Sequence, residues 1–312
     1  MKPRLAFFVG DPNGVGPELS ARLLASPGLR DRAEVTVYGD GRLLPETARA
    51  GHAFETVPGL EPGALTPGKA NALAGEWVIQ GLTRAARAAH EGRADAIVFA
   101  PLNKQAMKLG GLAFPDEQHL FADLLQARGY TVEFNVIDRL WTSRVTSHIP
   151  LKDVAGAITT GGIVDAVRVI HESLRRGGVA APRIAVVALN PHAGEGGTMG
   201  REEIEVIGPA VERARAAGMD ARGPFPADTV FIAAKRGDFD AVVTMYHDQG
   251  QIAMKLMGFD RGVTVLGGLP VPICSCAHGT AYDIVGRNAA NPVPLSNALD
   301  LALRMAAAKS VQ

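Results

Sequence analysis

The chain repeats one pattern, in which a short apolar run is followed by a polar or glycine-containing turn and then by a longer helical stretch. The runs are "RLAFFVG", "EVTVYG", "DAIVFAP", "RIAVVALNP" and "DAVVTMYH", and the helical stretches include "NALAGEWVIQGLTRAARAAHEG" and "REEIEVIGPAVERARAAG". This alternation is typical of βαβ units, whose parallel strands form a sheet with helices on both faces. We therefore predict an α/β fold, and a length of 312 residues suggests two domains.

One stretch departs from the pattern. In "FNVIDRLWTSRVTSHIPL" two close β-like runs are separated only by "DRL". This spacing predicts a hairpin or meander in the second domain. No low-complexity linker marks the boundary between the two domains.

Charge and composition favour a small-molecule partner. Lysine plus arginine equals aspartate plus glutamate at 32 each, so no net field attracts nucleic acid or an anionic membrane. The N-terminal apolar run is too short for a signal peptide, and no apolar run reaches about 18 residues, so we expect a cytoplasmic protein. Cys274 and Cys276 are two residues apart and would share one face of a strand, which favours packed thiols over a disulfide.

Three histidines follow apolar runs that read as strands. His148 lies in "VTSHIPL", His192 in "VVALNPHAGEGG" and His247 in "VVTMYHDQG", and Asp228 lies in "GPFPADTVF". Three imidazoles and a carboxylate suit zinc or another divalent metal. The spacings match no local metal motif, and a single histidine is more often a hydrogen-bonded structural residue than a ligand.

Two further segments carry chemically capable residues. "GDPNGVGPELS" resembles a phosphate loop but lacks its lysine, so we interpret it as a tight strand-to-helix turn with Pro17 at the first helical position. In "APLNKQAMK", Lys104 follows a buried-looking strand and is either an acid–base group or a solvated lysine at a helix start.

The segment "CAHGTAYDIVGRNAANPVP" is the most informative. Small residues around His278 allow the backbone to approach a flat ligand, and Asp283 could accept hydrogen bonds from a ribose. A generic glycine-rich loop would have a similar composition.

This segment also resembles a known family. "HGTAYDIVGRNAANP" is similar to the adenine–ribose loop "HGSAPDIAGKGIANP" of isopropylmalate dehydrogenase and its metal-dependent β-decarboxylating relatives. The rest of the chain resembles the 4-hydroxythreonine-4-phosphate dehydrogenase family of pyridoxal phosphate biosynthesis. The shared motifs run nearly end to end and are "GDPNGVGPE", "APLNK", "SHIPL", "LNPHAGEGGTMG", "GPFPADT", "MYHDQGQIAMK", "GFDRGV", "GGLP" and "HGTA".

The resemblance implies a fold of two α/β/α domains with a cleft between them, as in isocitrate and isopropylmalate dehydrogenases. The expected domains are residues 1–113 with 275–312, and residues 114–274. The active site would lie in the cleft at the interface of a homodimer. His148, His192 and His247 would bind the divalent metal, the third from the other subunit, with Asp228 beside it. The metal would be zinc, magnesium, manganese or cobalt.

The resemblance also implies the reaction, which is hydride transfer from a secondary alcohol to a nicotinamide cofactor followed by loss of carbon dioxide. Lys104 or Lys255 would move the proton, with Asp228 and Asp248 as further catalytic candidates. NAD is expected, with NADP as the other candidate if Arg287 neutralises the ribose-facing aspartate. The cofactor-binding residues implied are His278, Gly279, Thr280, Ala281, Asp283 and Asn291.

Several substrate positions depart from the family. Glu117 and Gln118 stand where the family has histidine and threonine, Thr264 replaces an asparagine, and Ile273 replaces an arginine, while Lys255 matches a substrate-binding lysine. Losing the arginine and gaining a carboxylate would weaken phosphate binding. We therefore expect an unphosphorylated substrate, a carboxylated cis-dihydrodiol such as that from terephthalate. Two alternatives are the biosynthetic enzyme itself and an inactive, metal-stabilised ligand-binding dimer. An alignment shifted by one residue would bring His119 into the substrate site.

Overall fold

The computed structural model describes residues 2–61, 63 and 65–309. The chain forms two compact units, residues 1–128 with 260–312 and residues 129–259. Residues 1, 62, 64 and 310–312, which the sequence analysis assigned to the first domain, lie outside the described residues.

The unit boundaries differ from those expected at 113/114 and 274/275, and packing within the first unit explains the difference. Strand β10 (Val263–Gly267) pairs antiparallel with β11 (Ile273–Cys276), so both strands belong to the same sheet. Phe121, beyond residue 113, stacks against Phe99 with 5.9 Å between ring centroids.

The first unit contains a six-stranded, mostly parallel sheet. Its strand order is β3-β2-β1-β4-β11-β10, and only the β10–β11 pair is antiparallel. The other strands are β1 (Arg4–Phe8), β2 (Glu34–Gly39), β3 (Ala53–Thr56) and β4 (Ala96–Phe99). The helices are α1 (Gly16–Leu24), α2 (Leu29–Arg32), α3 (Glu46–Arg49), α4 (Ala72–His90), α5 (Lys104–Leu109), α6 (Glu117–Leu124) and α12 (Val293–Lys309).

Strands β1 and β4 are covered on both faces. Consecutive strand residues point to opposite faces, and all four residues of β4 are buried. Helix α4 approaches β1 closely because Gly81 has no Cβ, which would otherwise overlap the ring of Phe8. Phe8 also packs on Trp77 of α4, with ring centroids 5.4 Å apart.

The second unit contains a five-stranded sheet with the order β5-β6-β9-β7-β8. Its strands are β5 (Val132–Ile137), β6 (Leu140–Arg144), β7 (Arg183–Val187), β8 (Asp220–Phe225) and β9 (Ala241–Thr244). Its helices are α7 (Val154–Ala157), α8 (Thr160–Arg176), α9 (Gly208–Ala216), α10 (Val230–Arg236) and α11 (His247–Gly258). Strands β5 and β6 form an antiparallel pair, which confirms the predicted hairpin. The tight turn uses Asp138 in the left-handed region at φ 55°.

Strands β6, β9, β7 and β8 are parallel neighbours, so their carboxyl ends meet at one edge of the sheet. Ligands of open α/β sheets bind at such edges. Beneath it, α10 and α11 pack on β9 through a cluster that includes Phe231, Phe239, Val242 and Met254.

The two cysteines lie on β11, and both are buried without a disulfide, as expected from the sequence. Burial raises the pKa of the Cys276 thiol to about 12. Within the described part of the chain no single helix is long and apolar enough to span a membrane, and the bent pair Leu151–Ala157 and Thr160–Arg176 meets that criterion by length and composition only.

Candidate functional site

Two of the three candidate metal ligands lie side by side in the second unit. His148 follows β6, and His247 begins α11 directly after the adjacent parallel strand β9. Their ring centroids are 5.6 Å apart, with 47° between the ring planes. Two imidazoles that share one tetrahedral cation have ring centres about 5 Å apart, because each nitrogen lies about 2 Å from the metal. The separation of the two rings is close to this value.

Asp248 orients one of these rings. Nδ1 of His247 lies 2.7 Å from Oδ1 of Asp248, whose side chain is 69% exposed. A carboxylate on one ring nitrogen fixes the tautomer and leaves the other nitrogen for a ligand. The contact places the carboxylate of Asp248, a catalytic candidate from the sequence, on the ring of His247.

The third candidate, His192, is not gathered into the same cluster. It is exposed on the turn after β7, and Asp228 is exposed on the turn after β8. Among the described residues, no group of three or more His, Cys, Asp or Glu side chains is arranged to hold a metal. The resemblance assigned His247 to the other subunit, yet this chain alone places it beside His148.

A residue that sequence reasoning missed ties this edge together. Oε1 of Gln249 accepts a hydrogen bond from the backbone N–H of Met245 at 2.8 Å, and its Nε2 donates to the carbonyl of Ala188 at 2.9 Å. Gln249 therefore links the exits of β9 and β7, which lead to His247 and His192. Its position two residues after a candidate ligand was the available signal.

The nucleotide-like loop of the first unit is anchored by a buried carboxylate. The hydroxyl of Tyr282 donates a 2.6 Å hydrogen bond to Oδ2 of Asp11, and Oδ1 of Asp11 accepts from the backbone N–H of Asn13 at 2.8 Å. Asp11 is fully buried, and this burial raises the pKa of its carboxyl group. Burial, followed by the hydrogen bond to Asp11, raises the pKa of Tyr282.

The glycine-rich turn supports the same loop from behind. The backbone N–H of Val15 donates to the carbonyl of Thr280 at 3.0 Å, and a Cβ atom on Gly14 would lie 2.8 Å from Cβ of Thr280. Nδ2 of Asn103, in the "APLNK" segment, lies 3.4 Å from Oγ1 of Thr280. The turn thus has the structural role expected from the sequence, and three motifs distant in the chain meet at one loop.

The residues expected to bind the cofactor differ in what they present. Asp283 is exposed, and Ala281 before it adopts the left-handed region at φ 43°. Nδ1 of His278 lies 3.0 Å from the carbonyl of Gly279. The amide of Asn291 is engaged within the fold, because its Nδ2 donates to the carbonyl of residue 260 and its Oδ1 accepts from the N–H of residue 293.

Two predicted site residues of the first unit form an ion pair. Nζ of Lys104 lies 3.9 Å from Oε2 of Glu117, whose side chain is 12% exposed. Gln118 is buried, and Asp116 caps α6 by accepting from the N–H of His119 at 3.1 Å. Burial alone would raise the pKa of Asp116, but the hydrogen bonds from His119 lower it overall. Within this group of residues, the ammonium of Lys104 is the positive charge that lies near the carboxylate of Glu117.

The remaining substrate candidates are dispersed. Ile273 is fully buried in β11, where it aligns with Ile97 of β4, so its side chain belongs to the core and presents no surface to a ligand. Thr264 is half-buried on β10. Lys255 is exposed on α11, with Nζ 5.8 Å from the ring centroid of Phe259.

Comparison with known proteins identifies the family. Residues 27–302 match the family model described as "Pyridoxal phosphate biosynthetic protein PdxA". The chain belongs to the PdxA family. A Pseudomonas aeruginosa protein is 46% identical over 97% of this chain and 97% of its own length, and one from Rhizobium meliloti is 45% identical over 99% and 94%. Both are provisionally named 4-hydroxythreonine-4-phosphate dehydrogenase 2.

Solved structures agree with the PdxA assignment. The chain superposes on 4-hydroxythreonine-4-phosphate dehydrogenase from Klebsiella pneumoniae with a TM-score of 0.83 at 35% identity, covering 98% of this chain and 100% of that one. For terephthalate 1,2-cis-dihydrodiol dehydrogenase from Burkholderia xenovorans the TM-score is 0.71 at 28% identity, with 97% and 98% covered. Isocitrate dehydrogenase from Methylococcus capsulatus, at 15% identity and TM-score 0.52 over 100% and 88%, shares the fold. The predicted fold class is confirmed, and the dihydrodiol prediction is less well supported than its biosynthetic alternative.

Proposed function

We propose that this PdxA-family protein is an NAD-dependent dehydrogenase that oxidises and decarboxylates 4-hydroxythreonine 4-phosphate or a closely similar phosphorylated β-hydroxy acid. The names of its relatives at 45% and 46% identity support this choice over the dihydrodiol. The structural observation that carries the proposal is the pairing of Lys104 with Glu117 at 3.9 Å.

That ion pair weakens one objection to a phosphorylated substrate. Glu117 was expected to repel a phosphate dianion, but the ammonium group of Lys104 opposes its charge. Lys104 is 55% exposed, so it remains accessible to an anionic substrate. Ile273 is a fully buried core residue. It therefore does not provide the apolar contact surface that a carbocyclic substrate would need. Lys255 offers a second exposed cation for a carboxylate or phosphate.

The chain's own residues have distinct tasks in this reaction. The loop anchored by Tyr282 presents Asp283 to the ribose hydroxyls of NAD. When bound, NAD would accept the hydride. His148 and His247 would hold a divalent cation, which polarises the hydroxyl and carbonyl oxygens of the substrate when bound. Lys104 or Lys255 takes the hydroxyl proton and returns one to the carbon that loses carbon dioxide.

We also propose a homodimer, with a second copy of the chain completing the metal site. Of the described large apolar side chains that are exposed, most lie in the second unit, on segments 149–151, 199–204 and 252–259 and at Ile232. Ile252 and Leu256 are 61% and 84% exposed and share one face of α11, which begins at His247. Sedimentation at assay concentration would contradict this part of the proposal if it showed only monomer.

The activity is tested by following NADH formation and carbon dioxide release from 4-hydroxythreonine 4-phosphate with Mn²⁺ present. We expect both products in equal amounts, and a chelator should abolish them until the metal is restored. NADH without carbon dioxide would contradict the decarboxylating step. No NADH from any hydroxy acid would instead favour the inactive ligand-binding dimer.

A further inference from the structure

The turn that carries His192 has a backbone conformation that residues other than glycine rarely adopt. Five consecutive residues, from His192 to Gly196, have positive φ angles between 43° and 79°. Three of them, His192, Ala193 and Glu195, carry a Cβ atom, and each costs on the order of 1 kcal/mol relative to the right-handed conformation. Such a stretch persists only where surrounding groups hold it.

The carboxylate of Glu203 binds the two residues that lead into this turn, Leu189 and Asn190. Its Oε1 accepts hydrogen bonds from the backbone N–H groups of Leu189 at 2.9 Å and Asn190 at 2.8 Å. Its Oε2 accepts a third from Nδ2 of Asn190 at 3.0 Å. Glu203 is 5% exposed, so these donors replace water as the groups that stabilise its charge.

The turn is shaped to fit closely against that carboxylate. A Cβ atom on Gly194 would lie 2.6 Å from Oε2 of Glu203, and one on Gly200, which has φ 123°, would collide with the side chain of Asn190. Glu203 also begins the π-helical segment Glu203–Ile207, and π-helical insertions occur frequently at functional sites. Gly194 and Gly200 therefore allow the segment "LNPHAGEGGTMGREE" to pack closely around Glu203 and Asn190.

Glu203 belongs to a chain of hydrogen bonds that ends at Gln249, on the same helix as His247. Gln249 bonds to the carbonyl of Ala188, and the next two N–H groups, of Leu189 and Asn190, bond to Glu203. Gln249 lies two residues after His247. The position of the His192 turn is thus set from both sides.

We propose that Glu203 is a positioning residue, whose carboxylate fixes the left-handed turn so that His192 is presented for metal binding. This inference rests on the proposed function, because it takes His192 as a ligand of the divalent cation. Residues that orient metal ligands change metal affinity by about 10- to 100-fold when they are replaced. The same range is expected here.

The test is the affinity of the full-length protein for Mn²⁺ alone, measured by calorimetry without NAD or substrate, for wild type and Glu203→Gln. Glutamine keeps Oε1 as an acceptor but points an amide NH₂ at the NH₂ of Asn190. The hydrogen bond between these two side chains is therefore lost with little change in shape. The matched control is Glu205→Gln. It removes the same charge two residues further along the chain, from a side chain that is exposed and paired with Arg201. We expect Glu203→Gln to weaken Mn²⁺ binding by about 10- to 100-fold, with activity recovered at high Mn²⁺, and Glu205→Gln to match wild type.

His192→Ala tests metal binding by His192 separately from the positioning role of Glu203. If it weakens Mn²⁺ binding while Glu203→Gln lowers only the melting temperature, the positioning role is overturned and the proposed function stands. If His192→Ala leaves Mn²⁺ affinity unchanged, the metal assignment fails and the inference with it. Should Glu203→Gln not fold, Asn190→Ala removes the side-chain donor to Oε2 of Glu203, together with the hydrogen bond from the same Nδ2 to Glu202, and leaves the two backbone bonds to Oε1 in place. A smaller loss of Mn²⁺ affinity supports the role of Glu203, and wild-type affinity overturns it.

Discussion

The hydroxyl of Tyr282 donates a 2.6 Å hydrogen bond to Oδ2 of the fully buried Asp11, 271 residues earlier in the chain. This bond connects the turn after the first strand with the loop proposed to bind NAD. The conformation of that loop therefore depends on a carboxylate that does not itself reach the surface.

Replacing Tyr282 with phenylalanine should weaken NAD binding. The change leaves a buried carboxylate oxygen without its donor, which costs roughly 1 to 3 kcal/mol, and part of this loss falls on the loop. We expect a KM for NAD raised by about tenfold, the equivalent of 1.4 kcal/mol, with kcat changed less. Steady-state kinetics at saturating substrate measure both constants. Tyr130→Phe, which removes a hydroxyl bonded to the carbonyl of Arg144 in the other unit, is the control and should leave this KM unchanged.

Asp11 should make stability depend on pH in a direction opposite to that of a salt-bridged aspartate. Burial raises the pKa of this carboxyl group above its ordinary value of 3.8, so the folded state holds the proton more tightly than the unfolded state. Its favourable contribution is present below pH 3.8 and is lost as pH rises through the raised folded pKa. The free energy of unfolding of wild type relative to Asp11→Asn should therefore fall as pH rises from 3.8 upward, which urea denaturation measures. A constant difference across this window would contradict the assignment.

Removing the side chain of Gln249 should loosen the histidine-bearing edge of the second sheet. Gln249→Ala leaves the N–H of Met245 and the carbonyl of Ala188 without partners, and both residues are fully buried. Each unpaired buried group costs roughly 1 to 3 kcal/mol, so the free energy of unfolding should drop by at least about 2 kcal/mol. Gln80→Ala on α4, which removes an amide that donates to the exposed Glu76 at 3.4 Å, should change the free energy of unfolding little.

Asp283 should set the choice of nicotinamide cofactor. It is exposed beside the anchored loop, where a carboxylate accepts hydrogen bonds from free ribose hydroxyls and repels a 2′-phosphate of about two negative charges. NAD should be preferred to NADP, and Asp283→Ser should shift the ratio of kcat/KM values towards NADP. Wild-type preference for NADP, or an unaltered ratio in the variant, would show that Asp283 does not face the ribose.

The sequence predicts local features of this protein better than it predicts side-chain partners. The βαβ alternation and the hairpin at "DRL" follow from apolar periodicity and a short turn, which are local properties. The pairing of Lys104 with Glu117 depends on the positions that helices α5 and α6 take against α4 in three dimensions, and no spacing rule predicts it. Ile273 was assigned to a substrate surface because an aligned arginine implied one, but its strand is buried on both faces. Asp11, Gln249 and Glu203 act through hydrogen bonds to backbone groups, so they leave little mark in a residue pattern.

The most direct test of the central claim is kcat/KM for three substrates with the same NAD- and Mn²⁺-saturated enzyme: 4-hydroxythreonine 4-phosphate, unphosphorylated 4-hydroxythreonine and the cis-dihydrodiol of terephthalate. The account predicts that the phosphorylated acid is preferred to both others. Two charge-assisted hydrogen bonds to phosphate, at roughly 1.5 to 3 kcal/mol each, correspond to a ratio of kcat/KM values on the order of a hundred or more. Lys104→Met should remove much of that preference, because it deletes the cation that opposes Glu117. A higher kcat/KM for the dihydrodiol, or equal values for the phosphorylated and unphosphorylated hydroxythreonines, would contradict the proposed substrate.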